Sequence, residues 1–206
     1  MQAQEQHQIS PEEYLIGERE SDIRHEYFAG EIFAMAGASR EHNQISTNIV
    51  RLLGNQLLEK PCSVFAGDMK VKIQKKKKYS YPDIVVVCEK EEYEDEHEDV
   101  LLNPVVLIEI LSDSTEAYDR GDKFSHYQDI PSFTEYILVS QYTLKMERFA
   151  RQPDKSWVYT IYQGEEDILS VETIDCDLPL AEVYRKVRFA EQGARRNRLS
   201  IRSLAE

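Results

Sequence analysis

The strongest constraint in this sequence is a pair of aliphatic runs, Ile84-Val85-Val86-Val87 and Val105-Val106-Leu107-Ile108-Glu109-Ile110-Leu111. A strand with one face in water alternates apolar and polar residues. A short run without alternation is expected of a central strand covered on both faces. Glu135-Tyr136-Ile137-Leu138-Val139 reads as a third such strand. Strands of this kind need layers on both sides. Ser39 to Lys60 supplies one helix, with Ile45, Ile49, Leu52, Leu53 and Leu57 at helical spacing and Pro61 as its stop. Thr115 to Asp129 supplies another, ended by Ile130-Pro131. This order predicts an α/β fold with a sheet of mixed strand direction.

Smaller elements surround that centre. Ser10-Pro11-Glu12-Glu13 reads as a helix start running to about Gly17, with Ser at N-cap, Pro at N1 and Glu at N3. A hairpin is expected around Ala29-Gly30, and CSVFAG and MKVKIQ read as strands. Residues 143–149 and 157–163 suggest an antiparallel ribbon, and residues 179–190 a final amphipathic helix. No repeat or linker divides the 206 residues. One domain is expected, with its core at about 39–140 and flexible arms at 1–9 and 193–206.

Composition excludes several classes. With 41% hydrophobic and 31% charged residues the chain is globular, not disordered. No run approaches the ~20 apolar residues of a membrane span, and MQAQEQHQ has no secretory pattern. Cys62, Cys88 and Cys176 are far apart, with no CxxC. They predict neither a zinc site nor a disulfide framework, and fit a reducing, cytoplasmic compartment. The net charge of -13 argues against a general attraction to nucleic acid. The charge is uneven, however. Residues 89–99 hold eight acids and one lysine, residues 185–206 hold seven basic residues and two acids, and Lys75 to Lys78 form an unbroken basic run. The acidic segment predicts a mobile excursion away from any site.

Asp83 opens one aliphatic run and Glu109 interrupts the other. A carboxylate there is costly unless paired, protonated or bound to a cation. A turn position after Pro82 would explain Asp83 alone, and an edge-strand ion pair would explain Glu109 alone. On neighbouring strands the two could present oxygens to one hard cation such as Mg²⁺. They would then lie within about 6 Å, and repulsion would raise at least one pKa. Lys123 follows Asp119 at i,i+4, the spacing of a routine surface pair. Tyr127 shares its face and reads equally as core, and Glu41 and His42 open a helix, where capping is the plainer role. The other histidines, His7, His25, His97 and His126, form no ligand spacing with one another, and there is no P-loop, GxGxxG or GxSxG motif.

Taken in order, Pro82-Asp83, Glu109-Ile110-Leu111, Asp119-Arg120-Gly121-Asp122-Lys123 with Tyr127, and Glu135-Tyr136-Ile137-Leu138-Val139 resemble the bacterial Uma-two family of putative restriction endonucleases. That family belongs to the PD-(D/E)XK nuclease superfamily. Glu26-Tyr27, Gly30-Glu31-Ile32, Met35, Ser39 and His42 are similar to its N-terminal pattern. The resemblance implies a restriction-endonuclease-like mixed central sheet flanked by helices, with an N-terminal helix-hairpin and a C-terminal ribbon and helix. It implies Asp83 and Glu109 as holders of Mg²⁺ or Mn²⁺, with the Ile110 carbonyl as a third oxygen. The superfamily's usual lysine sits two residues after the acid, where this chain has Leu111. The resemblance implies that Lys123 replaces it, with His42 and Tyr127 as accessory residues.

The leading expectation is therefore a metal-dependent endonuclease acting on DNA phosphodiesters. Lys75–Lys78 and the basic C-terminal segment are the expected sources of local positive charge. A homodimer would suit cleavage of both strands, and no membrane partner is expected. Two other classes remain open. One is a nuclease-like fold acting as a binding or scaffolding module, favoured by the acidic balance and the lack of a base-reading motif. The other is a metal-dependent hydrolase of a small phosphate ester.

Overall fold

The computed structural model describes residues 8–189. Helix α1 (Pro11–Glu20) begins with the expected capping box: the Glu13 N–H donates to Ser10 Oγ, and the Ser10 N–H donates to Glu13 Oε2. It passes through Gly17 and ends at Glu20. Strands β1 (His25–Phe28) and β2 (Glu31–Ala34) make the hairpin, turning through Ala29 (φ 48°) and Gly30 (φ 103°). Helix α2 (Arg40–Leu57) is capped by Ser39 and buries Ile45, Ile49, Leu53 and Leu57. Then come β3 (Cys62–Ala66), β4 (Lys70–Ile73), β5 (Lys78–Ser80), β6 (Ile84–Cys88), β7 (Val100–Leu101) and β8 (Val106–Leu111). The helical segment that follows is not uniform. It comprises α3 (Glu116–Tyr118), a π-turn at Asp119–Lys123 and α4 (Phe124–Tyr127). The chain continues with β9 (Glu135–Ser140), β10 (Met146–Arg151), β11 (Trp157–Tyr162), β12 (Ile168–Val171), β13 (Cys176–Pro179) and α5 (Leu180–Val183).

The main sheet has the order β11-β10-β9-β8-β6-β3, with β8 and β9 parallel and its other pairs antiparallel. The two aliphatic runs are its neighbouring centre strands. The pleat divides their side chains between two cores. Val106, Ile108 and Ile110 pack against α2, the β12–β13 hairpin and α5. Leu107 and Leu111 pack with Tyr127, Phe133 and Tyr136 on the other face. Fully buried aliphatics such as Leu53 each contribute roughly 1.5–3 kcal/mol by leaving water. A second sheet, β2-β1-β5-β4-β7, brings Val71, Ile73 and Leu101 onto that second core. One mixed sheet is expected from the sequence; the strands divide between two.

Four expectations need correction. First, the final helix is a single turn at Leu180–Val183, followed by turn and coil to residue 189; residues 168–179 before it form a hairpin with period-two burial. Second, Cys62 and Cys88 are disulfide-bonded. They lie directly opposite in the β3–β6 register, 4.0 Å apart at Cα, although 26 residues separate them in sequence. Cys176 is free and buried. Third, the acidic segment 89–99 is docked. Arg19 bridges Asp95 and Asp99, Lys70 pairs with Asp99, and Lys72 pairs with Glu94. Fourth, the basic run 75–78 is not uniform: Lys75, Lys76 and Lys77 are exposed, with Lys75 and Lys76 3.5 and 3.7 Å from Asp129, whereas Lys78 is buried and points inward. Among the described residues no helix is long and apolar enough to cross a membrane. Most of the expected arms, 1–9 and 193–206, and most of the basic segment 185–206 lie outside the described residues.

Candidate active site

Asp83 lies one residue before β6. In the antiparallel β6–β8 register Ile84 faces Ile108, so one further step sets Asp83 across from Glu109. Alternation puts Asp83 on the side of Val85 and Val87, and Glu109 on the side of Leu107 and Leu111. That is one face of the sheet, the one covered by the α3–α4 segment. The Ile110 N–H donates to Asp83 Oδ2 at 2.7 Å, and His42 Nε2, from the first turn of α2, lies 3.1 Å from Oδ1. Glu109 is buried; its Oε1 accepts from Tyr127 Oη at 3.0 Å and from Lys123 Nζ at 2.9 Å.

Lys123 is only 5% exposed. The i,i+4 pair with Asp119 exists, at 3.6 Å, but it is buried and not at the surface. The cause is the π-turn, which widens the helix over Asp119–Lys123 and turns both side chains inward. Gly121 sits in the turn with nothing within 4 Å of a notional Cβ, and Tyr136 Oη donates to the Asp119 carbonyl at 3.0 Å. Leu111, two residues after Glu109 on the same strand, is a buried core residue.

The sequence reading missed part of this cluster. Glu26, noted only as part of an N-terminal pattern, lies 3.4 Å from Lys123 Nζ. Lys78, read as loop, is 2% exposed, with its ammonium 3.8 Å from Glu26. Asp119 was read as a surface partner. The one signal for Lys78 was its place in Lys78-Tyr79-Ser80-Tyr81, which alternates as a strand does.

Burial pushes the Glu109 carboxyl well above the ordinary carboxylate range; Lys123 pulls it back, while Asp119 and Asp83 add to the rise. Asp119 is raised for the same first reason. Burial works against the Lys123 charge, but Glu109, Glu26 and Asp119 outweigh it and hold the ammonium charged. Four carboxylates, Glu26, Asp83, Glu109 and Asp119, thus face two lysines, leaving the cluster short of positive charge.

The donor chemistry fits a hard divalent cation. Oxygen ligands dominate, and Mg²⁺ characteristically uses one or two carboxylates with water and substrate oxygens. Among the described residues no three His, Cys, Asp or Glu side chains converge as a cage. Asp83 and Glu109 are a cross-strand carboxylate pair on one face of the sheet.

A family model described as putative restriction endonuclease, Uma2, matches residues 11–181. The chain belongs to the Uma2 family. Two uncharacterized proteins of Synechocystis sp. are among its relatives. One, slr1290, is 34% identical over 181 residues, covering 88% of this chain and 94% of the relative. The other, sll1609, is 32% identical over 157 residues, covering 76% and 89%. The fold is similar to the crystal structure of a putative nuclease belonging to DUF820 from Anabaena variabilis, with a TM-score of 0.71, 15% identity, and coverage of 85% of this chain and 97% of that one. The restriction-endonuclease-like architecture expected of a Uma2 chain is thus the one this protein has.

Proposed function

We propose that this protein is a divalent-metal-dependent endonuclease of the PD-(D/E)XK type, hydrolysing DNA phosphodiester bonds. One observation carries the reading. A buried lysine from the helical segment, Lys123, places its ammonium 2.9 Å from the carboxylate of a central strand, on the face that also holds Asp83. It supplies from a helix the positive charge that the strand position Leu111 lacks.

In this reading Asp83 and Glu109 hold Mg²⁺ or Mn²⁺. The bound cation would lower the pKa of an attacking water and offset charge on the phosphoryl oxygens. The other roles belong to the chain. Lys123 holds a fixed positive charge where the phosphorane-like oxyanion develops, worth on the order of 100-fold or more for one such group. The Ile110 N–H and His42 orient Asp83 from either oxygen. The Tyr127 hydroxyl and the Lys123 ammonium both fix Glu109 through Oε1.

The binding-module reading keeps one specific support. The buried lysines of the cluster are already matched by carboxylates: Lys78 by Glu26, and Lys123 by Glu109, Glu26 and Asp119. Cleavage of supercoiled plasmid, single-stranded DNA and RNA with Mg²⁺ or Mn²⁺, against an EDTA control, separates the two. Metal-dependent DNA cleavage that Glu109→Gln abolishes supports the endonuclease. DNA binding without turnover under every metal condition supports the module.

A further inference from the structure

Glu26 and Lys78 come from the second sheet, β1 and β5, where Phe28 pairs with Lys78 in register. The roles assigned above use neither residue. We propose that they are positioning residues for Lys123: Glu26 holds the Lys123 ammonium in place, and Lys78, with Tyr118, holds Glu26. The catalytic consequence rests on the nuclease reading; the geometry does not.

A lysine ammonium has three donors on a flexible four-carbon stem. Lys123 meets three carboxylates from three separate elements. Glu109 comes from the main sheet at 2.9 Å, Glu26 from the second sheet at 3.4 Å, and Asp119 from its own helical segment at 3.6 Å. This tripod fixes the ammonium in three directions. Among the described residues, Glu26 is the ion-pair partner that the second sheet gives it.

Glu26 is itself held at both oxygens. Oε1, the oxygen that faces Lys123, accepts from the Tyr81 N–H at 3.3 Å. Oε2 accepts from Tyr118 Oη at 3.4 Å and lies 3.8 Å from Lys78 Nζ. Lys78 in turn donates to Tyr118 Oη and lies 3.4 Å from His126 Nδ1. The rings of Tyr118 and Phe28 stand 4.6 and 5.7 Å from its ammonium. At 2% exposure this is an expensive place for a cation, since one carboxylate at 3.8 Å compensates desolvation poorly. An apolar residue would serve packing at lower cost. A requirement to orient Glu26 accounts for the lysine.

The test uses the full chain with Glu26→Gln, Lys78→Met and the double variant. The first readout is the rate at which acetic anhydride labels Lys123, measured by mass spectrometry relative to Lys60 and Lys145 in the same sample. The second is kcat and KM for metal-dependent DNA cleavage. Each single variant should raise Lys123 labelling about tenfold and lower kcat by roughly 10- to 100-fold with KM within about twofold, the scale of a small misplacement of a reacting group. The double variant should lose no more than the worse single, because both act through one arm. Unchanged Lys123 labelling in folded variants overturns the proposal. So does raised labelling with unchanged kcat, or a change in KM alone, which would make Lys78 a substrate contact. If the wild-type protein cleaves no nucleic acid, the nuclease reading fails, and labelling alone decides the tripod. If Lys78→Met does not fold, Tyr118→Phe loosens the same arm and is read the same way.

Discussion

Two acid-rich regions of this protein behave in opposite ways. The strap at 89–99 has the denser charge, eight acids in eleven residues. Its inner carboxylates nevertheless find cations: Asp95 and Asp99 meet Arg19, Asp99 also meets Lys70, and Glu94 meets Lys72. The Arg19 guanidinium holds Asp99 and Asp95 below the usual carboxylate range. The site has fewer acids, Glu109 and Asp119 buried and Asp83 and Glu26 partly so, but too few cations, and burial drives Glu109 and Asp119 upward. Acid density along a sequence therefore does not mark a functional cluster. An unbalanced, desolvated charge is the better pointer, because such an arrangement costs stability and is kept where it serves chemistry.

The largest expected effect comes from relieving that imbalance. A carboxyl raised in the folded state binds protons more readily there than in the unfolded chain. Its ionisation therefore costs stability as pH rises above the ordinary carboxylate range. Glu109→Gln should remove this cost at neutral pH and stabilise the fold by about 1 kcal/mol, while turnover falls below about 1% of wild type. Thermal denaturation and single-turnover cleavage measure both. A destabilised Glu109→Gln protein would show that Lys123 already balances Glu109, and the contrast with the strap would disappear.

The strap should respond with the opposite pH sign. Its lowered carboxylate pKa values contribute stability that is complete above the ordinary carboxylate pKa and is lost as pH falls through the lowered values. Arg19→Ala should cost about 1–2 kcal/mol near pH 7 and little below about pH 3, with cleavage unaffected. Urea denaturation across pH checks this. A flat penalty would mean that Arg19 acts through packing. Added salt at about 0.5 M should shrink the Arg19 penalty more than the Glu109 effect, since exposed pairs are screened and buried ones are not.

The smallest effect is expected at the strap's exposed rim. Glu96→Gln with Glu98→Gln should change stability by less than about 0.5 kcal/mol and tighten DNA binding only slightly, as both residues are exposed. Loss of divalent-metal binding in this variant would bring the strap's carboxylates into the site.

The same contrast explains how far the sequence could be read. Unbroken aliphatic runs mark centre strands because they exclude a solvent face, so β6, β8 and β9 were legible, and Asp83 and Glu109 with them. Ser10-Pro11-Glu12-Glu13 encodes its own cap and was legible to the residue. What depends on distant partners was not. Cys62 and Cys88 meet only through strand register. The strap docks because α1 delivers Arg19, and β4 delivers Lys70 and Lys72, to it. Lys123 is buried within a π-turn, whereas the i,i+4 spacing with Asp119 suggests a surface pair. Residues 168–179 carry a two-residue period that the Pro179 helix signal obscured.

The most direct test of the account is Mg²⁺-dependent, single-turnover cleavage of supercoiled plasmid by wild-type protein and by Lys123→Ala. The account predicts metal-dependent nicking or linearisation by the wild type and a loss of at least about 100-fold in Lys123→Ala, with metal binding retained. Lys123→Arg should restore little, because a planar fork does not fit a point-charge position. A fully active Lys123→Ala protein would contradict the central assignment.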